Sequence, residues 1–203
     1  MFEPLRESWK AFYSIVIILL HMSQNNYSIG IVQALLKKPN HIRGLAKELK
    51  TNQTTVSRKV AELYKDNAVD FRPEGKNKVF FLKKTLEAKE YAYLAEIRRQ
   101  IEAVKAYPRL RTVFERIRQN DKIALAILFG SYAKGAATKE SDIDIFLETK
   151  DRKAKEETEL IDSKISVKLG EYDSKNLLVK EIEKDHIVIK GIEGFYEKSQ
   201  FFA

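Results

Sequence analysis

The first half of the chain repeats apolar residues at helical spacing in three consecutive segments, which are residues 28–38, 41–49 and 53–65. In each segment leucine, isoleucine or valine recurs three or four positions apart, as on one face of a helix. Ser28 can cap the first helix, and Pro39 ends it. Two short apolar runs, residues 68–71 and 79–82, follow on either side of Gly75. The pattern predicts three helices and then a β-hairpin.

A longer helical stretch without glycine or proline covers residues 85–107. Its apolar positions at helical spacing are Tyr91, Leu94, Ile97, Ile101 and Val104. Pro108 breaks the helix, and a second helix rich in arginine is expected over residues 109–118. The apolar stripe predicts a contact, either with a second copy of the chain or within one chain.

From residue 123 the pattern changes to short strands that alternate with helices. We expect strands over residues 123–129, 142–147, 165–169 and 186–190, and helices over residues 175–184 and 192–199. The fold class is therefore predicted to be α+β, with a mixed β-sheet flanked by helices at the C-terminal end. The expected units are an apolar segment at 1–21, a first domain at 22–84, a helical linker at 85–120 and a second domain at 121–203.

The net charge of +8 is unevenly distributed over the 203 residues. Residues 22–84 carry 13 basic and 5 acidic residues, whereas residues 121–203 carry 14 basic and 17 acidic residues. An excess of positive charge on one domain favours a polyanionic partner for that domain. The chain has no cysteine, which excludes disulfides and thiolate metal sites and favours a cytoplasmic location.

The N-terminal segment contains an apolar run at residues 11–20. This run is about half of the ~20 residues that a membrane-spanning helix needs, so no membrane association is expected. A signal peptide would need a small-residue cleavage site, and none follows His21. The run is expected to pack on the next domain or on a partner subunit. Alternatively, translation begins at Met22.

Polar and basic side chains cluster at the start of the third predicted helix and on the hairpin. They are Gln53, Thr54, Thr55, Ser57, Arg58 and Lys59 on the helix, and Arg72, Lys76 and Lys78 on the hairpin. Such residues can bond base edges and phosphates, and recognition helices contact bases through their N-terminal residues. The stretch HIRGLAKELKTNQTTVSRKVAELYKDNAV resembles the winged helix-turn-helix of prokaryotic transcription regulators. The resemblance implies binding of double-stranded DNA by a homodimer, whereas the alternatives are solvated surface residues or a protein partner.

A second candidate site lies between the first two strands of the C-terminal domain. Asp142 and Asp144 are two residues apart in an expected strand and therefore point to the same side. Carboxylates are suitable ligands for Mg²⁺, which commonly shares its coordination shell with phosphate. Gly130 and Ser131 form a turn into a helix, where backbone N–H groups can bind an anion. Together these residues predict a site for a metal ion and a phosphate.

Gly130-Ser131, followed after ten residues by Asp142-x-Asp144, resembles the signature of the DNA polymerase beta-like nucleotidyltransferases. It is most similar to the minimal nucleotidyltransferases of prokaryotes, and the resemblance covers roughly residues 121–200. It implies an NTP as substrate or ligand, with Asp142 and Asp144 as catalytic and Mg²⁺-binding residues. Lys134 then either meets the triphosphate or lies on a solvated helix face.

The resemblance also implies a third carboxylate on the strand after the acidic one. If Ile165 and Val167 face the core, that strand offers Ser166 and Lys168 instead. Glu171 follows shortly afterwards, as does Asp173. Three interpretations remain: catalysis by two aspartates with one metal ion, a third acid from Glu171 or Asp173, or a degenerate domain. In the last case Lys168 can pair with the aspartates.

The sequence thus predicts a regulator-like protein that binds DNA and carries a domain for binding Mg-NTP. If that domain is active, it transfers a nucleoside monophosphate to a hydroxyl acceptor. The alternatives are an active, antitoxin-like transferase that modifies a protein partner, and a non-catalytic nucleotide sensor.

Overall fold

The computed structural model describes residues 27–203. The predictions for the segment at residues 1–21 lie outside the described residues. None of the helices within residues 27–203 combines the length and the apolar character needed to cross a bilayer.

Residues 27–82 form three helices and a small antiparallel sheet. The elements are α1 (Tyr27–Lys37), β1 (Asn40–His41), α2 (Ile42–Glu48), α3 (Gln53–Lys65), β2 (Val69–Glu74) and β3 (Asn77–Leu82). The strand order is β1-β3-β2, with His41 opposite Val79. The predicted helices and hairpin are confirmed. The additional strand β1 was not predicted because two residues are too few to show a periodicity.

The local sequence explains why α3 forms where it does. The side chain of Asn52 accepts a hydrogen bond from the backbone N–H of Thr55 at 2.7 Å and so caps the helix. Val56, Val60 and Leu63, spaced three or four residues apart, are buried on its inner side. In α1 the prediction of a Ser28 cap was wrong, because Ser28 lies inside the helix and is buried.

The long helix α4 (Leu86–Ala106) connects the two halves of the structure. Thr85 caps it, accepting a hydrogen bond from the N–H of Ala88 at 3.3 Å. Ala95 of α4 packs in the core of the N-terminal part, whereas Ala92 and Ala103 pack in the two cores of the C-terminal part. Small side chains let the helix approach both halves closely, so α4 is a shared structural element.

The apolar stripe predicted on α4 is used within the chain. Ile97 is buried, Tyr91 and Leu94 pack against the N-terminal core, and Val104 packs against a C-terminal core. This matches the alternative in which the stripe makes its contact inside one chain. A homodimer through this helix stays a prediction.

The C-terminal part is a four-stranded mixed sheet flanked by helices, as predicted. Its elements are α5 (Leu110–Gln119), β4 (Leu125–Phe129), α6 (Gly130–Ala133), β5 (Ile143–Glu148), α7 (Lys153–Glu159), β6 (Ile165–Leu169), α8 (Leu177–Lys184), β7 (Ile187–Lys190) and α9 (Ile192–Lys198). The strand order is β6-β5-β4-β7, with β5 and β6 parallel and the other pairs antiparallel.

The two faces of this sheet pack against different helices. Ile143, Ile145 and Leu147 point to the face that is covered by the apolar side of α5. Phe146 points to the other face, where it packs with residues of α8 and α9. Because side chains alternate along a strand, Asp144 shares the face of Phe146.

The outer edge of the sheet is closed by side chains of α4 and α5. Gln100 donates a hydrogen bond to the carbonyl of Val188, and Arg118 donates to the carbonyl of Ile189 at 3.1 Å. Two carbonyls of the edge strand β7 thereby accept hydrogen bonds from side chains of the flanking helices. The helix that continues from the N-terminal part is thus bonded directly to the C-terminal sheet.

A buried charged group lies beside this edge. Glu96 of α4 is fully buried, 3.3 Å from Arg99, and accepts a hydrogen bond from the hydroxyl of Tyr196 at 3.3 Å. His186 lies 3.8 Å from Glu96, and burial lowers the pKa of this histidine. The imidazole is therefore neutral near pH 7, and Arg99 is the main counter-charge of Glu96.

Candidate functional site

The glycine turn after β4 and the second aspartate of the pair lie in direct contact. Pairing of β4 with β5 places Phe129 opposite Asp144, so Gly130 follows next to this carboxylate. Gly130 has φ of 71°, in the left-handed region that favours glycine. A Cβ atom on Gly130 would lie 2.5 Å from Oδ2 of Asp144, closer than real Cβ contacts come. Glycine is therefore required at position 130 for two reasons: the turn needs a left-handed backbone conformation, and the Asp144 carboxylate leaves no space for a Cβ atom.

The two aspartates act on each other electrostatically. Asp142 lies just before β5 and is exposed, whereas Asp144 lies in the strand and is half-buried. Partial burial and, secondly, the charge of Asp142 raise the pKa of Asp144, and the charge of Lys168 opposes this rise. The pair thus carries an electrostatic cost that a bound cation would relieve.

The neighbouring strand adds no carboxylate to this face. In the parallel register of β5 and β6, Asp144 is opposite Ser166 and Phe146 is opposite Lys168. Glu171 lies beyond the end of β6 and is exposed. Between residues 27 and 203, no group of three or more His, Cys, Asp or Glu side chains is arranged to hold a metal ion. The described part of the site therefore offers two carboxylates.

The other candidate phosphate-binding residues lie on or just after the short helix α6. Ser131 is half-buried directly after Gly130. Lys134 follows the last residue of the helix, and its Nζ is 3.9 Å from a carboxylate oxygen of Glu181, with both side chains about half exposed. An exposed pair at this distance is weak, so Lys134 remains available to an anion. Tyr132 is buried edge-on against Tyr107 and packs in the core of the C-terminal part.

The predicted DNA-contacting residues gather around α3 and the hairpin. A groove of 750 Å³ between them is lined in part by Gln53, Ser57, Lys76 and Lys78. A shallower depression of 560 Å³ shares Gln53 and Ser57 and adds Thr54 and Arg58. Helix α3 and the wing formed by β2 and β3 therefore share one open, basic surface.

Two of the predicted basic residues form ion pairs within the chain. The Nζ of Lys59 is 2.6 Å from Glu62, and the Nε of Arg72 is 2.8 Å from Glu74. Thr55 is half-buried. These residues are less available to a ligand than Gln53, whose side chain is exposed.

Among the further residues that line this groove, and that the sequence had not singled out, are His41, Arg43, Tyr64 and Lys65. Arg43 and Lys65 were visible as positive charges, but only the folded arrangement of α2 and α3 places them beside the wing. The ring of Tyr64 lies 6.1 Å from that of Phe71, and the ammonium of Lys78 lies 4.1 Å above the latter ring. The floor of the groove is therefore partly aromatic.

Comparison with protein families finds a match in the C-terminal part of the chain. A family model described as a nucleotidyltransferase domain matches residues 110–199. It begins with α5, which packs on the same sheet as Ile143. No curated protein sequence matches the chain significantly.

Solved structures similar to the chain include three proteins at low identity. The transcriptional repressor BigR from Xylella fastidiosa is 21% identical, covering 45% of this chain and 91% of that chain with a TM-score of 0.34. The adhesin competence repressor AdcR from Streptococcus pyogenes is 20% identical, covering 53% and 81% with a TM-score of 0.38. The homodimeric winged helix-turn-helix DNA-binding domain of Mb0332 from Mycobacterium bovis is 18% identical, covering 47% and 86% with a TM-score of 0.32.

The winged helix-turn-helix is identified here by its own elements, which are three helices, a capped third helix and a hairpin wing. The four strands of the C-terminal sheet, the glycine turn and the aspartate pair all lie within residues 110–199, which the family model matches. This chain thus combines a winged helix-turn-helix arrangement of elements at residues 27–82 with a C-terminal region that matches the nucleotidyltransferase domain model.

Proposed function

We propose that the chain is a DNA-binding protein of the regulator type whose nucleotidyltransferase domain binds Mg-NTP. The observation that carries the proposal is the basic surface shared by α3 and the wing, next to a domain that matches the nucleotidyltransferase model. The N-terminal half holds the excess of positive charge, as expected if the polyanion binds there. We further propose a cytoplasmic location and functional units at residues 22–84, 85–120 and 121–203.

In this proposal α3 reads double-stranded DNA in the major groove. Gln53, Thr54, Ser57 and Arg58 are exposed along the first turns of the helix and are able to bond base edges or phosphates. Basic residues on the wing would contact the neighbouring phosphates, which fix the position of the protein on the duplex. A homodimer would match two half-sites, as in other helix-turn-helix proteins.

The DNA-binding proposal is tested by fluorescence anisotropy with duplex DNA at several salt concentrations. Arg58→Ala is expected to weaken binding and to reduce the salt slope by about 1 if Arg58 contacts one phosphate. Arg111→Ala, an exposed arginine on α5, is the matched control and should change neither value. Equal behaviour of the two variants, or no salt slope in the native protein, would contradict the proposal.

The nucleotide would bind between the glycine turn and the aspartate pair. The residues present suit one Mg²⁺, because this ion is usually held by one or two carboxylates together with substrate phosphates. Asp142 and Asp144 would hold it, and Gly130, Ser131 and Lys134 would contact the phosphates. When bound, Mg²⁺ supplies positive charge that polarises the phosphoryl oxygens. Burial and, secondly, the charge of Asp142 raise the pKa of Asp144, and a cation bound between the two carboxylates would offset both effects.

Calorimetric titration with ATP in the presence of Mg²⁺ tests the nucleotide site. Asp142→Asn should remove the Mg²⁺-dependent part of the affinity, whereas Asp121→Asn, at an exposed position outside the site, should leave it unchanged. Absence of ATP, CTP, GTP and UTP binding in the native protein would overturn this half of the proposal.

A second candidate function is transfer of a nucleoside monophosphate to a hydroxyl acceptor with release of pyrophosphate. The match to the nucleotidyltransferase model favours it. The acceptor could be a protein, which would make the chain an antitoxin-like modifier. Incubation with NTP labelled at the α-phosphate, alone and with a cell extract, tests this function through the appearance of labelled macromolecules.

A further inference from the structure

The strand beside Asp144 determines which chemistry its carboxylate meets. β6 runs parallel to β5, and opposite residues of paired strands point to the same face. Ile165 and Val167 are buried on the α5 side, so Ser166 and Lys168 share the face of Asp144 and Phe146. Ser166 is the direct neighbour of Asp144, and Lys168 is its diagonal neighbour.

The carboxylates next along the chain are held elsewhere. Glu148, on the same face as Asp144 but four residues further, binds Lys198 at 2.9 Å and accepts from the N–H of Tyr172 at 3.3 Å. Asp173 accepts from the N–H of Lys175 at 2.9 Å. Glu171 is exposed past Gly170. In the described structure none of these groups joins the aspartate pair.

Lys168 is exposed, and within residues 27–203 its ammonium has no hydrogen bond or ion pair. Its charge nevertheless acts on Asp144. An ammonium on a flexible stem is a compact phosphate ligand. Beside Asp144, β6 therefore presents a positively charged side chain on the strand where the resemblance implies a third carboxylate.

We infer that Lys168 is a phosphate-binding residue that replaces the second metal ion, an inference that rests on the proposed nucleotide binding. The site then holds one divalent cation, and it retains its NTP without transferring the nucleotide. Transfer with two metal ions uses them to stabilise both the attacking and the leaving oxygen. Ser166 and Lys168 add no carboxylate beside Asp144 that would hold a second ion or take a proton from the acceptor hydroxyl.

The affinity of the full-length protein for ATP with Mg²⁺ tests the role of Lys168. Lys168→Ala should weaken binding at least about tenfold, the usual effect of losing one charge-assisted contact. Lys153→Ala removes an exposed lysine from α7, on the opposite face of the sheet, and is the matched control with the same change in net charge. Equal affinities of the two variants would overturn the inference while leaving the proposed nucleotide binding intact.

The number of metal ions is measured independently by titration with Mn²⁺, followed by electron paramagnetic resonance at saturating ATP. The native protein should bind one Mn²⁺ for each ATP, and the double variant Ser166→Asp with Lys168→Ala should bind two. Two Mn²⁺ in the native protein, or pyrophosphate release from ATP by it, would also overturn the inference. If no nucleotide binds to the native protein, the proposed function and the inference fail together.

Discussion

The contact between Gly130 and Asp144 should make Gly130 costly to replace, even by alanine. Gly130→Ala adds a Cβ atom at a residue with φ of 71°, 2.5 Å from a carboxylate oxygen of Asp144. The left-handed conformation costs an alanine about 1–2 kcal/mol, and crowding of the side chain costs about 1–3 kcal/mol more. The free energy of unfolding should therefore fall by about 3 kcal/mol.

Gly135→Ala is a close control for this variant. Gly135 has φ of 70° and lies in the same connection, but a Cβ atom there would meet nothing within 4 Å. Gly135→Ala should therefore lower the free energy of unfolding only by the cost of the left-handed backbone conformation, about 1–2 kcal/mol. Urea unfolding of both variants followed by circular dichroism gives the difference, which measures the crowding at Asp144.

A double-mutant cycle then assigns the crowding to the carboxylate. In an Asp144→Ala background, Gly130→Ala should cost no more than Gly135→Ala, because the clashing oxygen is absent. The reasoning is refuted if Gly130→Ala is no more destabilising than Gly135→Ala in the native background, or if Asp144→Ala leaves its cost unchanged. Either result would mean that the carboxylate does not lie against the glycine turn.

Two further predictions concern charged groups away from the site. Arg99→Met should destabilise the fold by roughly 3 kcal/mol at pH 7 in urea unfolding, because it leaves Glu96 buried without its counter-charge. Arg98→Met removes a more exposed pair and should cost under about 0.5 kcal/mol; equal losses would contradict the account. A hydrogen bond from Arg109 at 2.7 Å lowers the pKa of Asp162, so this pair stabilises the fold above about pH 4 and the contribution is lost as the pH falls through the lowered pKa. Asp162→Asn should therefore cost roughly 1 kcal/mol at pH 7 and progressively less as the pH falls below about 4 in thermal unfolding, and a loss independent of pH would refute this assignment.

Much of the fold could be predicted because local patterns and tertiary structure agree. The apolar spacing of Val56, Val60 and Leu63 predicted α3, and all three side chains are buried. The alternation of Ile165 with Ser166 predicted β6 in the same way. Elements of this kind are consistent at both levels, which is typical of natural sequences.

The features that could not be predicted depend on contacts between residues that are far apart in the sequence. The two-residue strand β1 exists only because β3 offers it an edge. Glu96 and Gln100 are polar, so the helical pattern of α4 gave no reason to bury them, yet both face the edge of the C-terminal sheet. Arg43 and Lys65 could be counted as charges, but their position beside the wing required the packed helices.

The absence of a third carboxylate beside Asp144 does not depend on where β6 is judged to begin or end. Shifting the register by one residue would turn Ser166 and Lys168 into the core and expose Ile165 and Val167. Both apolar side chains are buried, and the hydrogen-bonded register places Ser166 opposite Asp144. The alternation of buried and exposed side chains along β6 therefore also determines which groups a ligand would meet. On the face of Asp144, β6 contributes only the hydroxyl of Ser166 and the ammonium of Lys168. A nucleotide at this site would meet two carboxylates and one lysine ammonium, an arrangement suited to holding phosphate with a single metal ion.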